Sequence, residues 1–218
     1  MNDADLQIRL LAPADAAAYR AIRLSGLKDT PEAFGSTFDA EVAKPLAWFF
    51  DRLTASDVFG ALREREILGV AGFAVRDGAK EAHKGLLWGM YVRPEARGTG
   101  VARLLVETVI DFARPRVELI QLSVVVGNEP ARRLYARLGF VEYGIEKNSL
   151  KFGGRYYDEI LMARQLSPVA GHGVSRPALL GAGAPTEPHG ARPEDDLPPA
   201  STISPREAPT GGPTELTP

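Results

Sequence analysis

The chain has 218 residues, 44% of them apolar and 25% charged, with 26 basic against 28 acidic side chains and a formal net charge of −2. That is the composition of a soluble globular domain with room for an appendage, and its charge balance removes the electrostatic case for nucleic acid or an anionic membrane as partner. No apolar run approaches the roughly 18 residues of a membrane span, and the absence of cysteine excludes disulfides, thiolate metal sites and a cysteine nucleophile.

Leu6, Ile8 and Leu10 alternate with Gln7 and Arg9, predicting a half-buried first strand. Pro13 and Asp15 open a helix to about Leu27, which Lys28-Asp29-Thr30-Pro31 breaks. Residues 32–38 fit no periodic pattern. From Pro45 a second helix places Leu46, Phe49, Phe50 and Leu53 on one apolar face. Val58–Leu62 and Ile67–Val75 read as a hairpin across Arg63-Glu64-Arg65-Glu66, and Leu86–Val92 as a further strand. A helix over 100–113 carries Ala102, Leu105, Val106, Val109 and Phe112 inward, and Pro115 ends it. Val117–Val126 is a β-branched strand whose apolar phase slips at Leu119-Ile120, predicting a bulge there. Asn128-Glu129-Pro130 starts a last helix with the stripe Ala131, Leu134, Tyr135 and Leu138, stopped by Gly139. Strands over 140–146 and 156–163 follow, separated by Gly153-Gly154. The order predicts an α/β fold built on a mixed sheet. Past residue 166 the composition changes: 167–218 holds eleven Pro, seven Gly and no aromatic residue, the signature of a disordered tail. The expected division is a domain over 1–166 and a tail over 167–218.

The run Arg97-Gly98-Thr99-Gly100-Val101-Ala102 joins a strand to a helix through glycines. The first N–H groups of a helix lack internal partners and sit at the positive end of its dipole, so such a turn is built for an anion, with Arg97 and Arg103 as added cations. A tight turn without ligand would show the same two glycines. A dinucleotide fingerprint would need a third glycine where Arg103 stands, and no Gly-Lys-Ser/Thr run marks a triphosphate loop.

Twenty-four residues beyond Ala102 begins Val126-Gly127-Asn128-Glu129-Pro130-Ala131-Arg132-Arg133-Leu134-Tyr135-Ala136-Arg137-Leu138-Gly139-Phe140. Together the two segments resemble the GNAT superfamily of acyl-CoA-dependent N-acetyltransferases: Arg97, Gly100 and Ala102 match its first signature, and Asn128, Ala131, Leu134, Tyr135 and Gly139-Phe140 its second. The resemblance covers about residues 5–164. It implies a GNAT-like fold, a mixed, mostly antiparallel sheet of six to seven strands splayed between the fourth and fifth and flanked by about four helices. It further implies acetyl-CoA as co-substrate, its pyrophosphate on the amides of Arg97, Gly98, Thr99, Gly100, Val101 and Ala102 with Arg103 nearby, and its pantetheine arm along Met90, Tyr91 and Val92. An N–H near Met90 would polarise the thioester carbonyl, Asn128 would lie near the arm, and Tyr135 would protonate the departing thiolate. By helical spacing alone Tyr135 reads as a core residue rather than an acid.

The family's strand-borne glutamate is absent from Leu86–Val92, which leaves the general base unassigned among Glu32, Glu41, His83, Asp158, Glu159 and ordered water. Trp48, Phe49 and Phe50 read as a wall of the acceptor site or as helix packing, and of Tyr156 and Tyr157 at most one faces the slot. The expectation is a cytoplasmic enzyme, compatible with a homodimer, that acetylates a primary amine by direct attack without metal, nucleic acid or membrane. A non-catalytic acyl-CoA-binding module with the tail as recruiting segment is the alternative, and a nucleotide-dependent oxidoreductase a third. The acceptor's identity is not encoded in any motif.

Overall fold

The computed structural model describes residues 6–64 and 66–166, so the predicted tail lies outside the described residues. The strands are β1 (Leu6–Leu10), β2 (Asp57–Arg63), β3 (Glu66–Val75), β4 (Lys84–Val92), β5 (Leu119–Val125), β6 (Val141–Phe152) and β7 (Arg155–Gln165). The helices are α1 (Ala16–Asp29), α2 (Phe38–Val42), α3 (Leu46–Ala55), α4 (Val101–Ala113) and α5 (Glu129–Arg137), with 3₁₀ turns at Pro13–Asp15, Pro31–Ala33 and Pro94–Ala96. The segment without sequence periodicity becomes the second 3₁₀ turn and α2. Thr37 caps α2, its side chain accepting the Ala40 N–H, and five residues are too few to show a helical repeat.

One seven-stranded sheet runs β1-β2-β3-β4-β5-β7-β6. Every adjacent pair is antiparallel except β4 and β5, which the crossover through α4 makes parallel. That pair holds together over three positions only, Lys84↔Leu119, Gly85↔Ile120 and Leu86↔Gln121. Beyond Leu86 the two strands part, giving the splay that the family resemblance implied.

Two apolar clusters sandwich the sheet. On one face α4 buries Val101, Leu105, Val106, Val109, Ile110 and Ala113, each at most 2% exposed, against Leu87, Leu122, Val124 and Met162. Each large aliphatic side chain so buried is worth about 1.5–3 kcal/mol. On the other face α1 and α3 pack Tyr19, Ile22 and Phe49 against Val58, Ile67, Val70 and Tyr91. Phe50, placed by the sequence pattern on the apolar face, is 48% exposed, because only the Phe49–Leu53 edge of α3 meets α1 and the sheet.

The bulge expected at Leu119-Ile120 is absent: β5 pairs with β7 without interruption from Leu119↔Gln165 to Val125↔Glu159. Val117, which set the apparent phase slip, is buried ahead of the strand rather than within it. Register shifts occur instead in the β2–β3 pair at Ala61/Leu62, in the β3–β4 pair between Val70 and Gly72, and twice in the β6–β7 pair. β6 also extends six residues past its predicted end, through a stretch too polar to show alternation.

Candidate functional site: the slot between β4 and β5

The site begins with an irregularity in β4. Val70 pairs with Tyr91 and Gly72 with Trp88, so Gly89 and Met90 together oppose the single residue Ala71. Gly89 adopts φ +63°, the left-handed conformation that a bulge of this kind asks of its first residue. Its position inside a strand was the available sequence signal for the bulge. Trp88 lies flat over Gly72, where a Cβ would stand 2.3 Å from the indole. The Arg52 guanidinium stacks between Trp88 and Trp48, 5.0 and 5.1 Å from the two rings. Met90 turns instead to the α4-side cluster. Because β5 leaves β4 after Leu86, the main-chain groups of β4 that point toward β5 face an open slot from there to Val92.

The chain leaves β4 through the Pro94–Ala96 turn and enters α4 by way of Gly98 at φ +77° and Gly100 at φ +91°. A Cβ at either glycine would meet nothing within 4 Å, so the turn presents open main chain. Thr99 closes it by donating its hydroxyl to the Ala96 carbonyl at 2.7 Å. Gly100 caps α4 with no side-chain hydrogen bond. Among the described residues the N–H groups of 98–103 have no hydrogen-bond partner, whereas Arg97 N–H is taken by the Pro94 carbonyl and Leu104 N–H by that of Gly100. The open amide series therefore starts at Gly98, one residue later than the sequence suggests. The Arg97 side chain also departs from expectation. It donates to the Val92 carbonyl at 3.1 Å and pairs with Asp29 at the end of α1, tying that helix to the strand. Arg103 is exposed and held by Glu107 at 2.9 Å, one turn along the helix, a weak surface pair that an anion of higher charge can displace.

Asn128 caps α5, its side chain accepting the Ala131 N–H at 3.3 Å, just past the end of β5. Tyr135 is 5% exposed in the α4-side cluster, edge-on to Phe140 at 5.8 Å between ring centroids. Burial pushes its phenol well above the usual range, so it stays protonated at any physiological pH.

The carboxylates considered as bases separate clearly. Glu41 is 3% exposed and accepts both Arg23 Nε at 2.9 Å and Nη2 at 2.7 Å. Burial alone would raise its carboxyl, but the Arg23 hydrogen bonds and charge, with Ser36 and Arg52 adding to them, hold it below the ordinary value. It is a structural ion pair. Arg23 lies beside the bulge, its Nη1 4.0 Å from where a Gly89 Cβ would stand. Asp158 takes Lys147 Nζ at 2.8 Å and the Asn148 N–H at 2.9 Å, and those bonds lower its carboxyl too. Glu159 accepts two serine hydroxyls, Ser123 Oγ on Oε1 and Ser149 Oγ on Oε2, each at 2.6 Å. Glu32 is half-buried in the 3₁₀ turn that packs near β5 and β6, and His83 is exposed ahead of β4. Ser123 and Ser149 carry no motif and enter only through the sheet's register. Trp48 is half-buried against Phe49, Tyr156 is 59% exposed, and Tyr157 is half-buried.

Two shallow surface grooves elsewhere, one lined by Ile110, Arg114, Arg137 and Arg164 and the other by Ala21, Arg63, Ile67 and Arg93, involve no residue of β4 or of the glycine turn. Among the described residues no group of three His, Asp or Glu side chains is placed to hold a metal ion, and no helix is long and apolar enough to cross a membrane.

Comparison with known proteins places this geometry among others. Residues 25–140 match the family model described as "Acetyltransferase (GNAT) family". A mycothiol acetyltransferase of Acidothermus cellulolyticus is 30% identical over 155 residues, covering 65% of this chain and 46% of that protein. The chain spans about half the length of the curated relatives it matches. Among solved structures, a ribosomal-protein-alanine N-acetyltransferase from Brucella melitensis is 28% identical with a TM-score of 0.64, over 73% of this chain and 99% of that one. A GNAT superfamily phosphinothricin acetyltransferase from Sinorhizobium meliloti, in complex with acetyl-CoA, is 22% identical with a TM-score of 0.64, over 74% and 89% of the two chains.

Proposed function

Because this chain belongs to the acetyltransferase (GNAT) family, we propose that it transfers an acetyl group from acetyl-CoA to a primary amine, by direct attack within a ternary complex. The observation that carries the reading is the juxtaposition of a splayed β4–β5 slot with a glycine turn whose amides over 98–103 are open. A diphosphate fits that turn: the N–H groups converge at the positive end of α4, and Gly98 and Gly100 put no side chain in the way. Met90, Tyr91 and Val92 offer the arm of the donor a strand edge to pair with, apart from the Val92 carbonyl, which Arg97 holds. The bulge at Gly89 and Met90 sets a main-chain N–H toward the thioester carbonyl, where it stabilises the oxyanion as charge develops. Tyr135, kept neutral by burial, gives its proton to the leaving thiolate. The absence of cysteine removes a thiol-borne acetyl intermediate and leaves attack by the amine itself. The relatives' names point to mycothiol, a ribosomal-protein alanine and phosphinothricin, which share no acceptor finer than an amine. The cysteine-free composition supports action in the cytoplasm.

The test is calorimetric titration with acetyl-CoA followed by an amine panel read by release of free thiol. Binding with a raised melting temperature, and turnover with at least one amine, are expected. Tyr135→Phe should lower kcat by about 10²-fold with the donor Kd unchanged. No heat and no thermal shift at millimolar acetyl-CoA would end the proposal, and binding without turnover of any amine would favour the non-catalytic module.

A further inference from the structure

We propose that Ser123 and Glu159 form the proton relay that deprotonates the attacking amine, an inference that rests on the acetyl transfer proposed above. The register of the sheet puts them where such a relay has to be. Leu86↔Gln121 is the last β4–β5 pair. Ser123 is two residues further along β5, so it stands on the β5 wall of the slot and on the same sheet face as Gln121, Leu86 and Trp88. Its neighbours Leu122 and Val124 point the other way, into the cluster that holds Tyr135. Glu159 on β7 lies opposite Val125, one strand behind that wall, with Oε1 2.6 Å from Ser123 Oγ.

The hydrogen-bond directions suit the task. Ser123 donates its hydroxyl proton to the carboxylate, which leaves its lone pairs free to accept an N–H from the slot. Glu159 has no ion-pair partner among the described residues, whereas the adjacent Asp158 is neutralised by Lys147. The separation is made by a bulge in β6, where the residues between Glu146 and Leu150 oppose Asp158 alone. That bulge holds Asn148 at φ +54°, uncommon for a residue other than glycine. It sends Lys147 and the Asn148 N–H to Asp158 and Ser149 to Glu159. The arrangement keeps one carboxylate of the pair uncompensated and hydrogen-bonded toward the slot.

As the amine nitrogen bonds to the thioester carbon it becomes cationic and its N–H strongly acidic. That proton passes to Ser123 Oγ as the serine's own proton passes to Glu159 Oε1. The C–S bond then breaks, and the thiolate takes the Tyr135 proton on the opposite face of the sheet. Solvent removes the proton from Glu159 and restores that of Tyr135, so the net change is amine plus thioester to amide plus thiol.

Glu159→Gln keeps an acceptor for the Ser123 hydroxyl but cannot take a proton. With an amine identified in the panel, it should lower kcat by about 10²-fold while acetyl-CoA Kd and melting temperature stay at wild-type values. It should also move the rise of kcat/KM with pH into the alkaline range in which the amine itself deprotonates. Ser123→Ala should reproduce that profile, and the double variant should be no slower than the slower single one. Glu146→Gln, which removes the exposed carboxylate directly opposite Glu159, should keep the wild-type rate and profile. A wild-type pH profile in Glu159→Gln, or the same loss in Glu146→Gln, overturns the relay while leaving acetyl transfer standing. A wild-type protein that acetylates nothing removes both.

Discussion

Arg23 and Glu41 illustrate how a residue's type can mislead until its partners are known. Glu41 precedes the second long helix and reads from the chain as a candidate base, yet it is locked to Arg23 through two hydrogen bonds and is almost wholly buried. Removing one member of a buried ion pair costs about 3–5 kcal/mol. The pH dependence follows from the sign of its shift. The folded carboxyl is held below its unfolded value, so the pair stabilises fully above about pH 4.3, the ordinary glutamate value, and that stability fades as pH falls through the folded value. Glu41→Gln is therefore expected to melt well below wild type at pH 7, with the gap narrowing in acid. Thermal melts of both proteins from pH 7 to pH 3 check this, and a gap of constant size would show that Glu41 is not ionised in the folded protein. Tyr135 is a different case: the helical stripe identifies it as buried, and the role of acid proposed for it rests on the surrounding signature.

At the scale of elements, the strand–turn–helix unit is legible because all its determinants are contiguous. Alternation marks β4, glycines mark the turn, and a 3.6-residue stripe marks α4. The bulge in β4 is less so. Gly89 signals that something interrupts the strand, but only the pairing of Val70 with Tyr91 and Gly72 with Trp88 shows which residues are displaced. The reverse error at Leu119-Ile120 has the same origin, since Val117 carries an apolar side chain in a segment that has not yet joined the sheet. The turn offers a direct test. At φ +91° an alanine in place of Gly100 costs about 1–2 kcal/mol of backbone strain, and its methyl group projects into space that no protein atom occupies. Gly100→Ala should thus stay folded, with a modestly lower denaturation midpoint, while acetyl-CoA affinity falls at least about tenfold, more than 1.4 kcal/mol. Equal Kd values for variant and wild type would show that no ligand approaches the turn.

For the whole molecule, the seven strands and five helices close both apolar clusters within residues 6–166. A chain ending at Leu166 is accordingly expected to keep its melting temperature and its acetyl-CoA Kd. A fall of about 4 °C or more, equivalent to roughly 1 kcal/mol at this size, would show that 167–218 contribute to packing. The sequence by itself determined the class of fold, the glycine turn at the start of α4, the Asn128 cap and the buried tyrosine, because each rests on neighbours within a few positions along the chain. The tertiary structure alone decided what Glu159 and Arg97 bond to and where β4 is interrupted. Those outcomes join residues 36 positions apart in Ser123 and Glu159 and 68 apart in Asp29 and Arg97. Strand register and packing create such pairs, and neither is encoded in the local periodicity from which strands and helices are read.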